Sequence, residues 1–497
     1  MLPFSFIVRY NIRMNNFVPL HIVSCYSFLQ SGLTIERIKT GVVKNDYFGL
    51  GLCDNGVLFG VPSFVKASEE INRPYIVGLE VSVNDDHLCL YAISEEGYHH
   101  LIEISTAIQK EEFSFDLFKE KTIGLIAIIE TNRGQFKELF DSQDEGFNKY
   151  LYQYSEMFKD GFYLGIEVIK KEDVKYANSI RKFANEHTYD CIAFPRILYQ
   201  KKDDAIVLKI VEAIANEQTL TEKKLDGQEY FMPIASYEKI YTKAEINNTQ
   251  KVLKSSTFNF HQKRGEILHY PVKDSAVTLK EECYQALKKL GLDNEQYKQR
   301  LEYELETIIS LGYADYFLIV KDYVSFAKNN NILVGVGRGS AAGCLVSYLL
   351  DITQIDPIVH DLQFERFLNP YRRSMPDIDV DFMDVKRDDV VQYMRDKYGN
   401  ERVANIVTFQ TIQAKQSLRD IGRVYNFPTN HIDLLSKRIT KPNISLREAY
   451  KTLPEFKSLV DSDQYFLQIV SLASKIEGLI RQSSLHAAGV ILNDSPL

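Results

Sequence analysis

The 497-residue sequence has no long hydrophobic run, no closely paired cysteines and no surplus of positive charge. Its longest apolar stretches, such as Ile123–Ile129, fall far short of the roughly 18 residues that a membrane helix needs. The six cysteines (Cys25, Cys53, Cys89, Cys191, Cys283, Cys344) are scattered and form no C-x-x-C pair. They read as small buried hydrophobes of a reducing compartment, which leaves out a disulfide framework and a cysteine zinc motif. The formal net charge of −8, taken alone, argues against a generic nucleic-acid coat, because phosphate neutralisation needs local Lys and Arg; a basic groove on an acidic body stays open. No internal repeat and no low-complexity linker occurs.

What is present is an ordinary globular composition, 45% apolar and 25% charged, over a length that calls for two or more domains. From Phe17 to about Leu225, strand-like runs (Phe17–Val23, Tyr47–Cys53, Tyr75–Val83, Leu88–Ile93, Ile123–Ile129, Phe162–Val168, Asp190–Phe194) alternate with helix-compatible segments. That alternation predicts an α/β domain with a largely parallel sheet or barrel. A linking region, Glu229–Tyr270, has little strand character. Helical spacing then appears in Glu281–Leu290, Glu295–Leu311 and Tyr316–Ala327. The first 16 residues form a short apolar stretch followed by Arg9 and Arg13, the wrong order for a signal peptide. They read as the product of an upstream start codon, with Met14 the natural beginning, against the alternative of a structured extension.

Two motifs carry chemistry. In Pro376-Asp377-Ile378-Asp379-Val380-Asp381-Phe382, carboxylates and apolar side chains alternate, which in a strand puts three acids on one face. Like charges so close call for a cation, and oxygen ligands without nearby His or Cys favour magnesium or manganese over zinc. An acidic strand edge is the bland alternative. About forty residues upstream, Gly335–Gly343 (GVGRGSAAG) precedes an apolar helix, Cys344–Leu350. Glycines let a backbone approach phosphate, N–H groups at a helix start attract anions, and Arg338 and Ser340 add donors. The segment lacks the Gly-Lys-Ser/Thr ending of a P-loop and alone is a weak signal. Further on, Thr408–Tyr425 is expected to be a helix with Lys415, Arg419 and Arg423 on one face. Between Asn400 and Thr440, six Lys/Arg stand against three acids. Phosphate contact competes there with a merely solvated helix face.

The order and spacing of Gly312-Tyr313, Tyr316–Val320, Gly337-Arg338-Gly339-Ser340, Phe364–Pro370 and Met375–Phe382 make the stretch from Leu301 to Asp384 resemble the palm of C-family bacterial replicative DNA polymerases. The resemblance implies a polymerase-beta-like nucleotidyltransferase palm, an α+β part, that transfers a nucleotide from a dNTP to a primer 3′-OH with two Mg2+ ions. It implies Asp377 and Asp379 as catalytic metal ligands, Gly339 and Ser340 as the triphosphate-binding pair with Arg338 beside them, and Asp381 as an outer carboxylate. The segment around Lys415, Arg419 and Arg423 resembles the junction of palm and helical thumb, implying contact with primer-template DNA; Arg372 and Arg373 are further candidates near phosphate. A third aspartate is expected beyond Leu497, so the isolated chain is expected to have no useful polymerase activity. Sliding clamp and replisome subunits are implied partners of further regions, in the cytoplasm at replication forks, with no membrane contact.

The front α/β region resembles the PHP domain of these polymerases, a distorted β/α barrel. It departs from the metal-binding pattern: only His21 stands where H-x-H is common, Asp54-Asn55 replaces Asp-His, and Pro195-Arg196-Ile197-Leu198-Tyr199 replaces Asn-Asp-Val-His-Tyr. Asp54 and Glu80 with one imidazole make a poor cluster site, so a metal-free, structural PHP domain is expected. The expected division is 1–16 extension, 17–235 PHP domain, 236–270 connector, 271–407 palm, 408–482 thumb and 483–497 return to the palm. The competing readings are a PHP-type phosphoesterase or 3′–5′ exonuclease, disfavoured by the lost histidines, and a non-catalytic DNA-binding scaffold.

Overall fold

The computed structural model describes residues 17–225, 227–260, 268–369 and 376–497. The expected extension 1–16 and the candidates Arg372 and Arg373 lie outside the described residues, as do Pro370 and Met375. The chain forms two compact units, Met1–Gln262 with Phe409–Ser484 and Lys263–Thr408 with Leu485–Leu497.

In the first unit a six-stranded sheet runs β1 (Leu50–Asn55), β2 (Tyr75–Val83), β3 (Asp86–Ala92), β4 (Leu125–Glu130), β5 (Phe162–Ile166), β6 (Cys191–Ala193), in sequence order. The pairs β1–β2, β4–β5 and β5–β6 are parallel, as α/β alternation predicts, but β3 is antiparallel to both neighbours. For β2–β3 the reason is local. Asn84 and Asp85 both take positive φ (49° and 62°), making a two-residue hairpin that suits the strand twist.

The predicted first strand, Phe17–Val23, is not a ladder strand. Its Ile22 bridges Leu52 and Ile197, both in parallel, and so joins β1 to the stretch after β6. Gly51 N–H donates to Pro19 C=O at 2.9 Å, and Ile197 N–H donates to His21 C=O at 2.9 Å. The approach is close enough that a Cβ on Gly51 would lie 2.7 Å from the Leu20 carbonyl oxygen. The sheet is thereby curled into the expected distorted barrel. Both faces are buried: Leu52, Leu79, Leu90 and Leu164 belong to the large core cluster, Cys53, Cys89, Ile128 and Ile192 to a second one. This explains why the strands read as nearly continuous apolar runs.

Part of the expected connector is built into this unit. Helix Lys243–Ser255 starts with a capping box of Thr242 and Glu245, and its Val252 and Leu253 join the second cluster. Its Asn248 amide donates to Cys191 C=O, and Thr249 Oγ1 accepts from Val18 N–H. The helices Ala414–Val424, Thr429–Arg438, Leu446–Thr452, Pro454–Ser462 and Gln464–Ile476 share one apolar core with Ile206–Ala215 of the front region. Arg37 adds a polar tie, donating to the carbonyls of Lys475, Ser474 and Glu477 at the end of the last helix.

The second unit is built on helices Ser275–Lys289, Glu295–Ser310 and Ala314–Asn329 around Leu301, Leu305, Phe317, Phe364 and Ile378, while helix Arg387–Tyr398 packs through Val390, Met394 and Tyr398 in two smaller clusters. β7 (Val403–Thr411) and β8 (Ile480–Leu492) pair in a two-stranded sheet. Thr408–Thr411 therefore ends a strand, and the helix expected from Thr408 begins at Ala414. Among the described residues no helix is long and apolar enough to cross a membrane.

Candidate functional site

The carboxylate segment keeps its period of two without being a full strand. Asp377, Asp379 and Asp381 are exposed, Ile378 is buried and Val380 and Phe382 are half-buried. The expected ladder is confined to one end: Phe382 bridges Val334, Gly335 N–H donates to Asp381 C=O at 2.8 Å, and Met383 N–H to Leu333 C=O at 3.0 Å. Farther up, Tyr316 Oη accepts from Ile378 N–H at 3.2 Å. Burial, aided by the nearby Asp377 and Asp379, pushes the Tyr316 phenol up to about 12, so it stays a neutral support under the acids. In the sequence Tyr316 stands only within a motif, with nothing to signal this contact.

The glycine-rich segment lies against the acids. A Cβ on Gly335 would meet Asp381 Cβ at 3.1 Å, and one on Gly339 would lie 3.7 Å from Asp379 Oδ2. Gly337 and Gly339 have φ of 104° and 67°, values that only glycine holds without strain. Gly339–Gly343 makes a 3-10 turn that leaves Gly339 and Ser340 exposed. The Arg338 guanidinium sits 3.2 Å from Asp381 Oδ1 and 3.8 Å from Asp379 Oδ1. It is thus the local cation for the acid face, where sequence reading gave it to triphosphate alone.

One expectation is altered. The N–H groups that begin helix Leu345–Leu349 do not face an open anion site: Val346 N–H donates to the buried Glu304 carboxylate at 3.0 Å. Any phosphate donors in this segment therefore lie in the preceding turn. Two oxygen-donor carboxylates on one exposed face, flanked by glycine backbone, fit a hard divalent cation. Asp377 and Asp379 would hold it. Among the described residues no third acid, His or Cys completes a cluster with them, since both three-membered groups with donors within 4.8 Å lie in the barrel.

In the helical bundle, Lys415, Arg419 and Arg423 are all exposed along helix Ala414–Val424, while Ser417, Leu418, Ile421 and Val424 are buried. The predicted single basic face is present. Beneath it the buried Asp420 pairs with Arg423 at 3.6 Å and with Arg481 at 3.4 Å. Arg481, on β8, extends the basic surface and was missed because it lies some sixty residues along the chain.

The barrel centre holds the surprise of the front region. His21 Nε2 lies 3.2 Å from Glu80 Oε2 and 4.0 Å from Glu130 Oε1. Arg133 forks onto Glu80 (2.6 Å) and Glu130, and Arg196 donates to both oxygens of Glu80 at 3.0 and 3.3 Å. Burial alone would lower the His21 pKa, but Cys89, Glu80 and Glu130 around it push it up. The Cys89 thiol is itself forced far above its ordinary value by burial and stays neutral, so the two carboxylates carry the effect at neutral pH. His21, Glu80 and Glu130 can group as metal ligands. Here three cationic side chains already satisfy the carboxylates. Asp54, the other remaining acid, accepts from Ser24 N–H, Ser24 Oγ and Ser27 Oγ. Metal analysis of the purified chain is expected to find no stoichiometric zinc or manganese held within residues 17–230; one equivalent there contradicts this assignment.

Comparison with known proteins follows these two regions. Residues 277–497 match the family described as bacterial DNA polymerase III alpha NTPase domain, and residues 19–168 match the PHP domain. The DNA polymerase III subunit alpha of Bacillus subtilis is 34% identical over 97% of this chain and 45% of its own length. That of Aquifex aeolicus is 31% identical over 97% of this chain and 48% of its own, and that of Staphylococcus aureus 34% identical over 96% and 44%. Over nearly its whole length the chain is thus similar to DNA polymerase III alpha subunits. It spans about half the length of the curated relatives it matches. Among solved structures, an amidohydrolase from Chromobacterium violaceum overlaps 36% of this chain and 87% of its own at 14% identity, with a TM-score of 0.23, too low to bear on the fold. Within the family frame, the acid segment, the glycine turn and the basic helix fall in the polymerase III alpha match, and His21, Glu80, Glu130 and Arg133 in the PHP match.

Proposed function

We propose that this chain forms the front portion of a replicative, template-directed DNA polymerase, with Asp377 and Asp379 as catalytic ligands of two Mg2+ ions. The observation that carries this is the exposed Asp377–Asp379 face beside the Gly339-Ser340 turn. Asp377 and Asp379 would hold the magnesium, which would supply activation of a primer hydroxyl and stabilisation of the pyrophosphate leaving group. The chain's own contribution is positional. Tyr316 fixes the backbone under Asp377 and Asp379, Gly339 and Ser340 offer close-approach donors to a triphosphate, and Arg338 neutralises the acids until a metal and nucleotide replace it.

Lys415, Arg419, Arg423 and Arg481 hold primer-template DNA through phosphates. The PHP barrel is a metal-free support, because the guanidinium groups of Arg133 and Arg196 take the place of cations. The phosphoesterase reading is weaker for the same reason. The sliding clamp and other replisome partners, and action at replication forks in the cytoplasm, belong to the complete protein.

A salt titration tests the DNA part. Replacing Lys415, Arg419 and Arg423 together with Ala is expected to reduce the slope of log K against log [salt] for primer-template binding by about 2.7, roughly 0.9 for each phosphate no longer neutralised. An unchanged slope would remove this face from the DNA site.

A further inference from the structure

Side-chain packing holds the glycine turn only at Ala341 and Ala342, which are buried; Gly339 and Ser340 are exposed, and Gly337 and Gly339 carry positive φ. It is fastened at three places. At its start Gly335 N–H donates to Asp381 C=O, and in its middle Val336 C=O accepts from Gln354 N–H at 2.8 Å. At its end Gly343 C=O accepts from Arg300 Nη2 at 2.9 Å. The same nitrogen donates to Leu362 C=O at 3.1 Å, and Arg300 Nε donates to Glu304 Oε1 at 2.6 Å. The second oxygen of Glu304 accepts from Val346 N–H at 3.0 Å and from the Cys344 thiol at 3.3 Å. Glu304 is 0% exposed. Polar groups from two further chain segments thus converge on this one pair.

An arrangement of this kind is a poor source of net stability, because desolvating both charges offsets their attraction. What the planar Arg300 guanidinium supplies is geometry, since it holds Glu304 and two carbonyls at once. Arg300 and Glu304 fix both sides of the Gly343-Cys344-Leu345 corner, and a 3-10 turn of about 2 Å rise per residue leads from there to Gly339. There is also no room to shift at the corner, since a Cβ on Gly343 would meet the Gln363 carbonyl oxygen at 2.8 Å.

We propose that Arg300 and Glu304 are positioning residues for the triphosphate-binding turn: they touch no substrate but set where Gly339 and Ser340 present their donors. This rests on the reading of that turn as the triphosphate site. The pair sits at i and i+4 of helix Glu295–Ser310. In sequence it looks like an ordinary exposed helix pair; its burial is what gives it away.

The test titrates the 497-residue chain with Mg·dATP by calorimetry, beside primer-template affinity and thermal unfolding. Arg300→Met and Glu304→Gln are expected to weaken dATP binding about 10-fold or more while leaving DNA affinity unchanged, since a small misplacement of binding groups costs that much. Arg300→Lys is expected to recover part of the loss. Because Arg300→Met strands the buried Glu304 carboxylate, the double variant Arg300→Met, Glu304→Leu serves as the folded control: it is expected to unfold at the wild-type temperature or above and still bind dATP weakly. Wild-type dATP affinity in that double variant overturns the positioning role. Wild-type chain that binds no dATP, or binds it equally after Gly339→Ala, overturns the triphosphate reading itself and the proposal with it.

Discussion

Replacing Glu80 by Gln destabilises the chain by about 3–5 kcal/mol at pH 6, the cost of breaking a buried ion network from one side. Glu80 is 2% exposed and takes hydrogen bonds from His21, Arg133 and Arg196. A glutamine keeps the shape but leaves three cationic side chains facing Glu130 alone. Burial would raise the Glu80 pKa, yet the His21, Arg196 and Arg133 partners hold it well below its ordinary value of 4.5. Its stabilisation is therefore present above 4.5 and lost as pH falls below that value. His21 has the opposite sign: raised above 6.5 by the carboxylates around it, it contributes fully below 6.5 and loses its contribution as pH rises through its folded-state pKa. The gap between wild type and Glu80→Gln is thus widest between 4.5 and 6.5 and narrows on both sides. Urea unfolding across that range measures it; a gap that does not vary with pH would mean that the charges do not hold the barrel centre together.

The second large effect separates function from stability. Asp377→Asn is expected to change unfolding free energy by no more than about 0.5 kcal/mol, as for most exposed sites, or to stabilise the chain by relieving repulsion from Asp379. The same change removes one of two charged oxygen ligands and is expected to weaken divalent-cation binding about 10-fold or more. Asp379→Asn also takes away a partner of Arg338, 3.8 Å distant. A stability loss of several kcal/mol without any change in metal binding would make these acids structural.

How much of this was legible in the sequence differs from place to place. The alternation at Pro376–Phe382 was enough to put three acids on an exposed face, because side-chain direction follows period two whether or not a ladder forms. Strand pairing was not legible, since it depends on Leu333–Gly335, more than forty residues away. In the barrel the lost histidines could be read directly. That Arg196 pairs with Glu80 could not, because only the fold brings it there, 116 residues along the chain. Likewise the basic helix face was visible in the spacing of Lys415, Arg419 and Arg423, but Arg481 reaches it only through β8. Helix Lys243–Ser255 looked like connector for want of strand character, although its Val252 and Leu253 fill the barrel's second cluster.

The measurement closest to the central assignment is a Mn2+ titration followed by electron paramagnetic resonance, on the wild-type chain and on the double variant Asp377→Asn, Asp379→Asn. Wild type is expected to bind manganese and the double variant, equally folded, to leave it free in solution; equal binding by the two would contradict Asp377 and Asp379 as the metal ligands of the palm.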